Sequence, residues 1–240
     1  MFRQNGSLRI SVLITVFFAL IFAVGQPAAP RLAAAQAGEG DEAAVGFRWA
    51  LGALMGAGEE EKLEAIKQDT ALKSGDQLKM LVELEKKCFI YVIHQNAQGE
   101  LKMLFPYSLQ QFATDYDIGK KYYIPQGDDW LRLGEQTGSE TIHLLASAQR
   151  MEAIENLWSQ YEPADASHRP EIGKLLLAEI RNVKKQNREV TSRVERPVTI
   201  GGNIRSIQQP QESDPLDVAA IADEISANGF YGRAFTIDLQ

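Results

Sequence analysis

The chain is short of the residues that carry covalent and metal chemistry: its 240 residues include one cysteine and three histidines. A lone thiol, Cys88, has no internal partner, so a disulfide framework is excluded and stability has to come from packing. His94, His143 and His168 are far apart with no cysteine pair among them, which leaves no zinc-type ligand set. No serine sits in a Gly-x-Ser-x-Gly elbow. The Gly pair in "RPVTIGGNI" lacks both the P-loop lysine and dinucleotide spacing, and reads as a bulge or tight bend. No metal and no cofactor is expected. Positive charge is also scarce: 25 Lys and Arg face 32 Asp and Glu, a net −7. That balance discourages binding to nucleic acid or to an anionic membrane.

What is present begins with an export pattern. Residues 1–37 carry Arg3 and Arg9, an uncharged apolar-rich run from Ile10 to Val24, and small residues up to "AAAQA". This is the order of a signal peptide, with cleavage expected after Ala35 or Ala37. The run falls short of the roughly 20 residues that a membrane-crossing helix needs. No cysteine stands near the cleavage site to take a lipid, so the expectation is a periplasmic or secreted chain with no stable membrane span. Loss of residues 1–37 removes three arginines and no acid, leaving a net charge of about −10.

Residues 38–70 are Gly/Ala-rich and then acidic. Phe47, Leu51, Leu54 and Met55 share a helical face, while Gly52, Gly56 and Gly58 weaken a helix, so a linker with a short, docking helix is predicted. The apolar cluster at residues 45–55 also raises the option of membrane association. "GEEEKLEAIKQ" predicts a charged helical turn or two with Leu63 and Ile66 facing inward. Period-two alternation begins after Leu72: Leu78, Met80, Val82 and Leu84 form one strand face. Phe89 to Gln95 is apolar on both faces, as in a central strand, and Leu101 to Phe105 follows across "NAQGE" as the second arm of a hairpin. "KYYIP", "WLRLG" and "ETIHLLAS" add further strands, making a β-rich core over 71–148.

From 149 onward the pattern turns helical. Ile154, Leu157, Trp158 and Tyr161 form one stripe and Ile172, Leu176, Ile180 and Val183 a second, separated by Pro163 and Pro170, with Ser167 or His168 near the second start. "RPVTIGGNIRSI" predicts a strand, "DPLDVAAIADEIS" a third helix with Pro215 in its first turn, and "FYGRAFTIDL" a closing strand. The fold class is therefore α+β: an antiparallel β-sandwich or partly open β-barrel core, with two to three helices inserted before the C-terminal strand.

The sequence "KKCFIYVIHQ" raises the question of a Cys/His pair. Cys88 and His94 are six positions apart, roughly 20 Å along a strand, beyond the ~3 Å reach of a nucleophile and its base. His143 is the other possible partner, and the register that would bring it to Cys88 is open. A buried thiol filling the start of a central strand is the expected reading. Asp115, Asp117, Asp128 and Asp129 fall in loops without the calcium-loop pattern and are expected to be solvated. Tyr107, Tyr116, Tyr122, Tyr123 and Trp130 crowd one stretch. Exposed at one end of a sandwich, Tyr107, Tyr116, Tyr122 and Trp130 could stack on a peptide or a sugar ring.

The stretch "LKSGDQLKMLVELEKKCFIYVIHQNAQGELKMLFP", with "YYIP" and "GSETIHLLAS" after it, resembles the bacterial domain of unknown function 4384. The resemblance rests on Gly75-Asp76, Cys88 with Tyr91 and Val92, Gly99, Leu104-Phe105-Pro106, Pro125, and Gly138 with Glu140. It covers about residues 71 to 148, and the ending "ERPVTIGGNIR…EISANGFYGRAFTIDL" looks like the tail of exported members. "LFPYS" and "TGSE" depart from relatives that tend to place an Asn after the Pro and a Pro before the Gly. Such domains often accompany caspase-like peptidases or protein kinases, and the family supplies no activity to carry over. The resemblance implies an accessory module. With no catalytic set in view, the expected function is non-catalytic binding of an envelope protein or peptide. The alternatives are a glycan or peptidoglycan binder and an envelope hydrolase using Cys88.

Overall fold

A computed structural model describes residues 44–56, 61–133, 137–187 and 216–240. Strands come first: β1 (Ala44–Met55), β2 (Lys62–Ala65), β3 (Thr70–Leu72), β4 (Gln77–Leu84), β5 (Phe89–Gln95) and β6 (Leu101–Phe105). A one-turn helix α1 (Gln111–Thr114) leads to β7 (Lys121–Ile124), β8 (Leu131–Arg132) and β9 (Gly138–Ser147). Helices α2 (Glu152–Tyr161) and α3 (Arg169–Gln186) follow, and β10 (Asp223–Asn228) and β11 (Phe230–Leu239) end the chain.

The strands form two sheets. The first runs β10-β1-β4-β7, with β2 beside the second half of β1 and β8 beside the start of β4. The second runs β3-β11-β9-β5-β6, antiparallel except that β3 lies parallel to β11. Neither sheet closes, so of the two predicted architectures the sandwich is the one present.

Alternation places the core. Phe47, Trp49 and Leu51 of β1 and Met80, Val82 and Leu84 of β4 face Ile90, Val92, Leu144, Phe235 and Ile237 of the second sheet. The opposite face of that second sheet, with Tyr91, Ile93 and Leu145, is covered by α2 and α3 through Ile154, Trp158, Leu176 and Ile180. On the outer face of the first sheet a short 3-10 turn, Val218–Ile221, packs on Ala50 and Leu81. That cover explains why β4 is buried on both faces, where the alternation predicts only one buried face.

Three expected helices are not formed. Residues 44–55 are strand β1 and not a linker with a docking helix. The spacing of Phe47, Leu51 and Leu54 fits a helix, but Phe47, Trp49, Leu51 and Ala53 also alternate, and all four are buried in the sandwich. Each large side chain buried this way contributes about 1.5–3 kcal/mol, against roughly 0.5–1 kcal/mol lost at each strand glycine. Burial wins, and Gly52 is required by it: a Cβ there would meet Leu63 Cδ1 at 2.8 Å and Val218 Cγ1 at 2.9 Å. Of the charged helix expected over "GEEEKLEAIKQ", the described part forms the edge strand β2 at Lys62–Ala65, whose Leu63 pairs with Leu54; Ile66 is buried as expected. The expected third helix is only the 3-10 turn, N-capped by Asp217 Oδ1 on Ala219 N–H at 2.8 Å, after which the chain pairs as β10 with β1. The helical pattern is too short to outweigh a row of backbone hydrogen bonds on an open sheet edge. The predicted signal peptide, Pro215 and the predicted strand at 196–207 lie outside the described residues.

β1, β10 and β11 make a core confined to residues 71–148 incomplete. β4 has β1 as its neighbour over Phe47–Leu54, and β9 has β11 along its whole length. A fragment of residues 71–148 leaves both strands with one bare edge, and is expected to give no cooperative urea transition in circular dichroism, whereas residues 38–240 give one.

Beneath α3, the His143 imidazole is half-buried, its enclosed Nδ1 has no hydrogen-bond partner among the described residues, and its Nε2 stands 3.5 Å from Gln95 Oε1. Burial, reinforced by the Lys184, Arg181 and His94 charges, lowers its pKa to about 4. The unfolded chain therefore binds this proton first. Its contribution to stability is complete above about pH 6.5 and is lost as the pH falls towards 4. The urea midpoint is expected to fall between pH 7.5 and pH 5, and to fall less in a His143→Leu variant.

Candidate functional site

The Cys/His question is settled by faces and register. Cys88 is 1% exposed in the core between the sheets, with Sγ 3.7 Å from the Gly46 carbonyl oxygen. His143 pairs with Ile93, five positions further along, and sits among the groups under α3. His94 Nε2 bonds Glu140 Oε2 at 2.8 Å. No imidazole approaches the sulfur. Burial also raises the thiol pKa, keeping it protonated at neutral pH. Ser167, His168 and Asp165 come together too, but Ser167 Oγ and Asp165 both meet the same atom, His168 Nδ1, at the exposed start of α3. That is a local turn ahead of the helix, in which Asp165 also accepts the Ser167 and His168 backbone N–H groups, and these hydrogen bonds hold its pKa down at about 2. Among the described residues no group of three or more His, Cys, Asp or Glu is placed to hold a metal, and no helix is long and apolar enough to cross a membrane.

The aromatic candidates divide. Tyr116 and Tyr122 stack with Phe105 at one end of the sandwich, with ring centroids 5.3–6.0 Å apart. Tyr116 accepts the Ile90 N–H at 2.9 Å, and Tyr122, 3% exposed, accepts the Asp117 N–H at 2.7 Å. Their rings and hydroxyls are committed to packing, which removes both from the expected stacking surface. They cluster because the loop after β6 and strand β7 converge over Phe89 and Phe105, a contact that spacing along the chain does not reveal. Trp130 and Tyr123 flank the ammonium of Lys79, whose Nζ is 5.6 and 5.5 Å from their centroids and donates to the Gly127 carbonyl at 2.9 Å. That contact covers one face of Trp130. Tyr107 is different. Its hydroxyl donates to the Tyr123 carbonyl at 2.6 Å, burial pushes its pKa up to about 12, and its ring borders an opening.

That opening is a half-open groove of about 310 Å³ between the segment after β6 and the end of α2. Met103, Pro106, Tyr107 and Leu109 form one wall, Trp158 and Pro163 the other, and Ser108, Gln110, Ser159 and Glu162 the polar rim. Both walls are held from below. The Gln111 side-chain carbonyl accepts the Tyr107 N–H at 2.7 Å. On the α2 side, Tyr91 of β5 donates to Glu155 Oε1 at 2.5 Å and accepts the Met151 N–H at 3.1 Å. Arg150 reaches the same carboxylate with Nε at 2.9 Å and Nη2 at 2.5 Å. The buried Glu155 charge is thus bidentately paired, which fixes the rotation of α2 and with it Trp158. Tyr161 completes the join: its hydroxyl accepts the outward-facing Leu101 N–H of β6 at 2.8 Å.

Of this groove, the sequence pointed to Tyr107 alone as a binding residue, and to Pro106 only as part of the family-like Leu104-Phe105-Pro106. Trp158 was legible as one member of a helical stripe, and a stripe says core. Met103, Leu109 and Glu162 carry no local signal, and Pro163 reads only as a break between helices, since only the packing of α2 beside β6 makes them neighbours.

The features shared with the resembling family have structural positions. Phe105-Pro106 and Ile124-Pro125 end β6 and β7, both with cis peptide bonds. Gly138 starts β9 with φ +146°, where a Cβ would lie 2.6 Å from Ala97 Cβ in the hairpin loop. The model of the family described as "Domain of unknown function (DUF4384)" matches residues 71–150, a third of the chain, and that segment is similar to the family. The match spans β3 to β9 and stops before α2, leaving the C-terminal tail outside it. No curated protein and no solved structure matches the chain.

A thiol reagent at neutral pH is expected to label Cys88 only after denaturation. Labelling of the folded chain at the rate of free cysteine would contradict the burial described here.

Proposed function

We propose that the chain is an exported, non-catalytic module that holds a peptide segment of a cell-envelope protein in the groove between β6 and α2. The groove carries the reading: a largely polar cleft with the Tyr107 and Trp158 rings and two prolines in its walls, of a size that takes two or three side chains. Export is supported by the composition and order of residues 1–37. Catalysis through Cys88 finds no support, because the sulfur is enclosed and no base stands beside it. The resemblance to an accessory domain points the same way.

Probing arrays of unstructured peptides with the purified chain is expected to select sequences rich in apolar residues. A Leu109→Glu variant, which puts a charge on the groove wall, is expected to lose about tenfold or more in affinity for them. Peptide binding unaffected by that variant, or selective binding of glycans with none of peptides, would sink the reading.

A further inference from the structure

Two kinds of extended ligand could use such a groove: one that adds a strand to β6, and one that docks side chains without a ladder. The β6 edge is poorly suited to the first. Leu101 presents its N–H away from β5, but that donor is already taken by Tyr161. The next outward-facing residue is Met103, after which a register shift interrupts the pairing and Pro106, without an N–H, ends the edge. A single free residue does not make a ladder. The second kind needs ring surfaces, a donor for a bare carbonyl and a fixed charge. Each is present. Tyr107 and Pro163 give accessible ring surfaces, and the mostly buried Pro106 and Trp158 also line the groove. Trp158 is 7% exposed and lines the groove, and its indole N–H has no acceptor among the described residues. Glu162 stands exposed at the rim. The neighbouring cation, Arg169, is directed to the carbonyl oxygens of Glu162 and Ala164 and to the Tyr161 ring, not to that carboxylate.

We infer that the ligand of this groove is a proline-rich segment in the polyproline II conformation, with a lysine or arginine at the end that meets Glu162. The inference rests on the peptide-binding reading and goes beyond it in naming the ligand. Proline rings pack between Trp158 and Tyr107, the indole N–H donates to a peptide carbonyl that polyproline II leaves bare, and Glu162 selects the basic end. The net charge, about −10 once residues 1–37 are removed, adds a long-range preference for such a partner.

The test uses fluorescein-labelled nonapeptides and the purified chain, read by anisotropy. One peptide is proline-rich with a terminal arginine, one is proline-rich with a terminal glutamate, and one replaces the prolines by valine and threonine but keeps the arginine. Saturable binding of the first, with the second at least about tenfold weaker, is the expected result. Glu162→Lys, on the exposed rim, should reverse that order. Trp158→Phe, which keeps an aromatic ring and removes the N–H, should weaken the first peptide about tenfold. Should the valine–threonine peptide bind as well as or better than the first, with both lost in Leu109→Glu, the polyproline inference is overturned and the peptide-binding reading stands. If no peptide binds, both fall.

Discussion

Everything in this molecule depends on β4 and β9 being hydrogen-bonded along both edges. A buried strand cannot leave a row of N–H and C=O groups bare, because each costs about as much as a lost hydrogen bond in an apolar interior. β4 takes β1 on one side and β7 and β8 on the other; β9 takes β11 and β5. Two of those partners, β1 and β11, come from opposite ends of the described chain. The segment matching the family profile is therefore the middle of a sandwich whose flanking strands come from outside the match. With both sheets complete, their inner faces meet through Phe47, Met80, Val92 and Phe235, and the enclosed Cys88 is part of that filling.

The helical layer depends on the second sheet in turn. Tyr91 projects from β5 to the opposite side and holds Glu155, which Arg150 neutralises. A charge so buried is costly unless paired, so this cluster serves orientation more than net stability. It leaves α2 one available rotation, with Trp158 and Tyr161 towards β6. The groove is the gap between that helix and the loop that Gln111 holds in place.

How far this was legible in the sequence varies by element. β4, β5, β6, β7, β9 and β11 announce themselves by alternation or by dense β-formers between turn residues, and α2 and α3 by their stripes. β1 does not, because Phe47, Leu51 and Leu54 satisfy a 3.6 period while Phe47, Trp49 and Leu51 satisfy a period of two. β2 and β10 do not either, since their charged or alanine-containing sequences suit a helix until a neighbouring strand offers an edge. Among the aromatics, Tyr116 and Tyr122 look the same in sequence as Tyr107, and only packing sends the first two inward.

The amino-acid sequence by itself determined the class of fold, the hairpin at residues 89–105, the two long helices and the distance that keeps Cys88 from His94. These follow from side-chain period and strand rise, which are local quantities. Only the tertiary structure decided that residues 44–55 and 223–228 are strands, that His143 lies away from Cys88, and that Met103, Tyr107, Trp158 and Glu162 border one cleft. Each of those outcomes turns on which distant segment supplies a hydrogen-bonding edge or an apolar face, and no local period records that.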